Sequence, residues 1–119
     1  PLFKKNIFKA FKISKRFDDD ISSICGSFNF EIINNKIKQA YIAYGGMAAV
    51  PKRARACEEI IKNKLLTINT FIEAKDYLEK DFMPIDDMRA SKEYRLEVAK
   101  NLLIKCFVEI NTKKLNRVI

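Results

Sequence analysis

The sequence predicts an α+β fold in which a small antiparallel sheet packs against about three helices. Two observations predict it. Residues 22–44 hold two apolar-alternating segments joined by an Asn-Asn link, which is typical of a β-hairpin. Residues 51–110 hold apolar positions at helical spacing, interrupted by capping-type residues and a proline. A hairpin followed by helices favours helices on one side of an antiparallel sheet.

The first strand of the hairpin is predicted over residues 22–33. Phe28, Phe30 and Ile32 alternate there with polar residues, which is the period of two of a half-buried strand. Asn34-Asn35 follows, and Asn tolerates a positive φ angle. The pair therefore predicts a tight two-residue turn.

The return strand is predicted over residues 36–44. Strict alternation places Ile37 and Ile42 on opposite faces of this strand. Gly45-Gly46 then ends the pattern and lets the chain bend or another backbone approach. Residues near 7–14 can run extended, so the sequence predicts one or more further strands beside the hairpin.

The first helix is predicted from Pro51 to about Lys62, because proline is well tolerated in the first helical turn. Its buried positions are expected to be Ala54, Cys57 and Ile61. Arg53 and Arg55 are expected at solvated positions of the same helix.

Two further helices follow. Thr70 and Glu73 have capping-box spacing and predict the start of the second helix, which Pro84 ends. Ser91 is the expected cap of the third helix. The third helix has an apolar stripe formed by Leu96, Ala99, Leu103, Cys106 and Ile110.

The net charge of +8 is confined to the two ends of the chain. Residues 1–17 and 113–117 carry nine of the 23 basic residues and none of the acidic ones. Binding to duplex nucleic acid usually needs a basic stripe across a folded face, so this distribution favours solvated or docking arms. It also leaves a second hypothesis: a stand-alone binding module whose basic arms engage an acidic partner or nucleic acid.

Several site types are excluded by composition. The chain has no His, which removes His-based triads and HExxH zinc sites. Cys25, Cys57 and Cys106 are widely spaced and odd in number, so buried free thiols are expected rather than a disulfide framework. With only three glycines, no Gly-rich dinucleotide loop can be written.

The localisation expected from the sequence is cytoplasmic, without membrane association. The longest apolar stretch, residues 40–51, is shorter than the roughly 20 residues that a membrane span needs. The beginning of the chain lacks the residue order of a signal peptide.

The densest acidic cluster is Asp18, Asp19 and Asp20. Three interpretations stay open: solvated charges at the entry to a strand or helix, a loop that meets a ligand held mostly by another domain, and a site for a hard cation. The third is the weakest, because the cluster lacks the alternating ligand spacing of a calcium loop.

Three segments resemble the flavin part of one enzyme family. FKISKRFDDDI (11–21), IAYGGMAAVPKRA (42–54) and DFMPIDDMRASKEYRLEVAKNLL (81–103) resemble, in order and spacing, segments of the FAD-binding part of xanthine dehydrogenases and other molybdenum hydroxylases. The likeness covers residues 9–110. It implies the C-terminal lobe of the flavin module, an α+β domain beside the lobes that hold FAD.

The resemblance also implies site residues. Lys12 matches a family lysine close to the flavin ring, Asp19 an aspartate near the flavin and nicotinamide, and Arg16 a basic residue of the same mobile loop. Phe17 departs from the pattern, since a second basic residue often occurs there. The cofactor-binding residues expected from the resemblance are therefore Lys12, Arg16 and Asp19, while no catalytic or metal-binding residue is expected in this chain.

The resemblance also implies domain boundaries and partners. Residues 1–8 are expected to be a linker arm, 9–110 the flavoprotein C-terminal domain, and 111–119 a basic tail. The implied parent enzyme would pass electrons from purine hydroxylation through molybdopterin, [2Fe–2S] clusters and FAD to NAD. The isolated chain is expected not to be catalytic. Its expected partners are the FAD-holding lobes, the iron–sulfur and molybdopterin parts, and through the apolar arm a second copy of itself.

Overall fold

The computed structural model describes residues 4–17, 20–46, 51–82 and 89–118. Within those residues the chain forms a four-stranded antiparallel sheet and four helical segments, which confirms the α+β prediction. The elements are β1 (Lys4–Phe17), β2 (Asp20–Ile33), β3 (Lys36–Gly45), β4 (Lys52–Arg53), α1 (Arg55–Ile61), α2 (Ile68–Lys75), the single-turn α3 (Leu78–Asp81) and α4 (Arg89–Val118).

The first strand is longer than the sequence suggests. β1 begins at Lys4, which pairs with Ile33, so residues 4–8 lie in the sheet and not in a linker arm. The reason is that Ile7 is buried beside its partner Phe30, whereas Lys4 and Lys5 before it stay exposed. The basic residues that were expected in a solvated arm therefore belong mostly to a paired strand.

The hairpin turn between β2 and β3 is the predicted one. Asn34 and Asn35 have φ angles of 51° and 65°, the pair of positive values that defines a type I′ turn. The strict alternation predicted for β3 is wrong, however. Glu31 pairs with Gln39 and Ile32 with Ile37, so Lys38 is an extra residue. This bulge returns Ile37 to the buried face that Ile42 also occupies.

The helix boundaries differ from the predicted ones for two reasons. Lys52 and Arg53 pair with β3, so α1 begins at Arg55 and not at Pro51. The side chain of Thr67, not Thr70, accepts the backbone N–H of the first turn of α2. Here the correct cap lies one turn before the spacing that resembles a capping box.

The last helix is also longer than predicted. α4 begins at Arg89, so Ser91 lies inside the helix and is not its cap. Residues 111–118, expected to form a separate basic tail, continue α4. Pro84, the predicted end of the second helix, lies outside the described residues.

The helices pack on one face of the sheet, and the core lies between the two layers. Aromatic rings connect them: Phe71 of α2 meets Phe30 of β2 and Phe107 of α4, with ring centroids 5.7 and 5.1 Å apart. Of the stripe predicted on α4, Leu96 is partly buried and the other four residues are buried. None of the described helices is sufficiently long and apolar to cross a membrane.

Candidate functional site

The segment expected to be a flavin loop is mostly a two-stranded ribbon. β3 ends at Gly45, which pairs with Cys25, and Cys25 pairs on its other side with Lys12. Beyond this row, β1 and β2 continue through five more residue pairs, ending at Phe17 and Asp20. At 3.4 Å per residue the ribbon extends the sheet by about 17 Å.

Two of the three predicted cofactor-binding residues, Lys12 and Arg16, occupy different places along this ribbon. Lys12 is exposed at its base. Arg16 pairs with Ile21 close to the tip, four residues and about 14 Å of strand from Lys12. Asp19 lies outside the described residues. The backbone therefore spreads Lys12 and Arg16 along one strand and does not gather them at one point.

Lys12 presents an available positive charge. Within the described part of the chain its ammonium group makes no hydrogen bond or ion pair. Its cross-strand neighbour Cys25 is also exposed, contrary to the expectation that all three thiols are buried. Gly45 continues the row and has no side chain. The neighbours of Lys12 in this row are therefore a small side chain and a glycine, which leave this face of the sheet open.

The three segments that carry the family resemblance converge at this end of the domain. The second segment forms the stem of the β3–β4 hairpin, in which Tyr44 pairs with Lys52. The third begins at Asp81, whose backbone carbonyl accepts a hydrogen bond from Lys52 Nζ at 2.6 Å. Phe82 follows, and its ring meets that of Tyr44 edge-on at 5.6 Å.

Tyr44 is the structural centre of this convergence. Its ring packs edge-on against Phe28 of β2 at 5.7 Å, and its hydroxyl donates a hydrogen bond to the carbonyl of Ala99 in α4 at 2.8 Å. Burial raises the pKa of Tyr44 well above its usual range, so the phenol stays neutral. A Cβ at Gly26 would lie 3.1 Å from the Phe28 ring and 3.2 Å from the Tyr44 ring, so glycine there makes room for both.

A buried carboxylate fixes the edge of β3. Glu58 Oε2 accepts the backbone N–H of Ile42 at 2.8 Å and the Nε–H of Arg53 at 3.1 Å, while Oε1 accepts Arg53 Nη2–H at 2.7 Å. The Arg53 guanidinium lies over the Tyr41 ring at 4.7 Å. Arg53 is thus a paired residue of β4 and not a solvated helix position. The hydrogen bond to Glu58 raises the pKa of Arg53.

A second buried carboxylate, Asp81, closes the N-terminus of α1. Its Oδ1 and Oδ2 accept the backbone N–H groups of Ala56 and Cys57 at 2.7 and 3.0 Å. Sequence reasoning missed Asp81 and Glu58, because each acts on a backbone group 16 to 25 residues away. The one available signal in the sequence was an acidic residue at a position where the helical spacing predicts burial.

Metal binding has no support in the described structure. Among the residues that it describes, no three His, Cys, Asp or Glu side chains lie close enough together to hold a metal ion. Asp18 and Asp19 lie outside those residues. Cys57 and Cys106 are buried thiols whose pKa burial raises.

Comparison with models of known protein families identifies the family of this chain. Residues 9–110 match the CO dehydrogenase flavoprotein C-terminal domain. The chain belongs to this family. The match includes the ribbon, the β3–β4 stem and most of α4, and the last two of these elements contact Tyr44.

Curated relatives agree with the family assignment. The chain is 28% identical to the xanthine dehydrogenase FAD-binding subunit of Escherichia coli O157:H7 over 92% of this chain and 38% of the relative. It is 29% identical to the glyceraldehyde dehydrogenase medium chain of Sulfolobus acidocaldarius over 89% of this chain and 37% of the relative. The flavoprotein C-terminal domain described here therefore spans little more than a third of these relatives.

Solved structures share the fold. Quinoline 2-oxidoreductase from Pseudomonas putida 86 superimposes with a TM-score of 0.69 at 17% identity, over 86% of this chain and 35% of that one. Carbon monoxide dehydrogenase from Hydrogenophaga pseudoflava gives 0.69 at 18%, over 84% and 34%. At these identities the likeness concerns the fold of the C-terminal domain.

Proposed function

We propose that this domain forms one wall of the flavin site in a xanthine dehydrogenase-like oxidoreductase, with Lys12 as the residue that approaches the flavin ring. The observation that carries the proposal is the position of Lys12. It lies exposed at the base of the ribbon, beside Cys25 and Gly45. Among the described residues, no group forms a hydrogen bond or an ion pair with its ammonium group.

The residues of this chain fit the ring end of FAD better than its phosphates. A pyrophosphate usually binds at a glycine-rich turn that leads into a helix N-terminus. Here Gly26 is packed against two aromatic rings, and the N-terminus of α1 is already occupied by the Asp81 carboxylate. The phosphates and the adenosine would therefore be held by the part of the flavoprotein that this chain does not span.

FAD would supply the electron-accepting ring. Lys12 would contribute a fixed positive charge beside a ring carbonyl, where negative charge develops on reduction. Arg16 would act further along the ribbon, and in our proposal NAD arrives on that side and also meets Asp19. Purine hydroxylation as the electron source and NAD as the acceptor belong to the same proposal, and the xanthine dehydrogenase name of the Escherichia coli relative supports the purine substrate.

The test is a redox titration of the assembled flavoprotein carrying Lys12→Ala or Lys12→Arg. A charge-assisted hydrogen bond is worth about 1.5–3 kcal/mol, so Lys12→Ala should lower the two-electron flavin potential by about 30–60 mV. Lys12→Arg should retain most of the potential. Lys4→Ala is the matched control, because Lys4 lies on the same strand eight residues away and pairs with Glu31. Equal potentials for Lys12→Ala and Lys4→Ala would reject this role.

A further inference from the structure

The face of the sheet opposite the helices carries an apolar surface. Phe8, Asn29 and Tyr41 form one row across β1, β2 and β3, and the side chains of Phe8 and Tyr41 are 65% and 49% exposed. The next row towards the ribbon consists of small residues across the same three strands, and Arg53 of β4 continues it. We define the outer face by the residues of these two rows: Phe8, Asn29, Tyr41, Ala10, Ser27 and Ala43.

The shape of this surface suits a docked partner. Two large rings stand beside a low row of small side chains, and none of the helices covers this side of the sheet within the described structure. Sheets normally bury such a face against another layer, and contiguous exposed apolar surface marks an interaction site.

One of the two rings is held in place before any partner binds. Arg53 lies over the Tyr41 ring at 4.7 Å, and the two hydrogen bonds from Arg53 to Glu58 fix the guanidinium. A ring that is already ordered loses little conformational entropy on association. Tyr41 is therefore suited to be an anchor of an interface.

The outer face is continuous with Lys12. Ala10, Ser27 and Ala43 form the row directly next to Lys12, Cys25 and Gly45, about 7 Å away along the strands. A partner that brings a flavin ring to Lys12 is therefore placed to cover the small-residue row as well, and the two aromatic rings lie one row further on.

We infer that the outer face packs against the FAD-holding part of the flavoprotein, meaning the part of the relatives' length that this chain does not span. The inference rests on the proposed function and adds the surface through which the two parts meet. The chain covers 34% to 38% of its relatives, so most of each relative is available as this neighbour.

A second copy of the chain is the weaker occupant. On the outer face β1 presents Lys4 and Lys12 and no acidic residue among the described side chains. A two-fold arrangement of outer faces would bring the same lysine-bearing strand of each copy to the interface, and like charges across a sheet contact are destabilising.

Site-specific photo-cross-linking in the assembled flavoprotein tests the inference. The photoreactive residue p-benzoylphenylalanine replaces Phe8 or Tyr41, and in the control it replaces Ile72, which is 45% exposed on α2 in the helix layer. After irradiation, mass spectrometry of the digested protein identifies the attached peptides. We expect positions 8 and 41 to attach to peptides of the FAD-holding part, several times more often than position 72.

The alternatives give different peptides. Attachment of positions 8 and 41 to a second copy of this chain, or to iron–sulfur or molybdopterin chains, would overturn the inference. So would attachment to the FAD-holding part at equal yield from all three positions, or no attachment from either test position. Flavin content and the Lys12→Ala potential are measured on the same preparation. A normal Lys12 effect with the wrong peptides rejects this interface alone, whereas the right peptides without a Lys12 effect reject the role of Lys12.

Discussion

Asp81 caps α1 from 25 residues away in the sequence: its Oδ1 accepts the backbone N–H of Ala56 at 2.7 Å. α1 has no side-chain cap of its own, and Asp81 is buried, so water cannot replace the lost acceptor easily. Asp81 is also the first residue of the third segment of the family resemblance, residues 81–103. Asp81 thus ties the start of α1 to the third segment of the family resemblance.

We predict that Asp81→Ala lowers the free energy of unfolding by about 2 kcal/mol, since two first-turn N–H groups lose their acceptor. Asp81→Asn should cost less, because its amide oxygen can still accept one bond. Denaturant unfolding measures both. Asp76→Ala is the control, as its side chain is 66% exposed, and it should change stability by less than about 0.5 kcal/mol. If Asp81→Ala lowered the free energy of unfolding no more than Asp76→Ala does, the Asp81 cap would contribute little to stability.

A second prediction concerns the start of β1. Ile7 is 8% exposed and Phe8 is 65% exposed, although they are adjacent. Ile7→Ala should cost about 2–4 kcal/mol, because it leaves a cavity beside Phe30. Phe8→Ala should cost less than about 0.5 kcal/mol in the isolated domain. Removing residues 1–8 should therefore destabilise the domain, and unchanged stability after that truncation would show that β1 contributes to the core only from Lys9 onwards.

The local signals of the sequence were the reliable ones. Asn34-Asn35 predicted its turn correctly, because the positive φ angles depend on the two residues alone. The apolar stripe of α4 was also visible, since helical spacing reports burial directly. Lys12 could be indicated only by family resemblance, because an exposed lysine on a strand has no distinctive pattern.

The errors arose where tertiary contacts decide the structure. The bulge at Lys38 changes which face Ile37 occupies, and no local pattern marks it. β4 exists because Lys52 and Arg53 find a partner in β3, and this pairing delays the start of α1. The roles of Glu58 and Asp81 depend on backbone groups that are distant in sequence, so residue spacing could not reveal them.

A third prediction follows from buried thiols. Burial raises the pKa of Cys106 to about 12 from an ordinary value near 9, and the nearby Lys9 only partly opposes this effect. Between about pH 9 and pH 12 the unfolded thiol loses a proton that the folded thiol keeps. The stability of the fold is therefore complete below pH 9 and falls as the pH rises, by up to about 1.4 kcal/mol per pH unit for one such group.

Unfolding free energies measured from pH 8 to pH 11 test this expectation. Burial raises the pKa of Cys57 and Tyr44 as well, so both add to the decline. Cys106→Ala should make the decline less steep. Val98→Ala, a buried truncation in the same helix without an ionisable group, should lower the whole curve and keep its slope. Equal slopes in the two variants would contradict the assignment to Cys106.

The last prediction is that the isolated domain binds FAD weakly, with a dissociation constant above about 1 μM, which corresponds to less than about 8 kcal/mol of binding free energy. The N–H groups at the start of α1, which could otherwise receive a phosphate, are occupied by Asp81, and the start of α2 is capped by Thr67. Lys12 alone offers one charge on an open face, where solvent screens it.

Flavin fluorescence titration of the purified domain measures this affinity, after circular dichroism has verified that the domain is folded. The assembled flavoprotein is the positive control and should retain its flavin through purification. If the folded domain bound FAD with a sub-micromolar dissociation constant, the phosphates would have a site within this chain. The proposal that this domain contacts only the flavin ring, while another part of the flavoprotein holds the rest of FAD, would then be wrong.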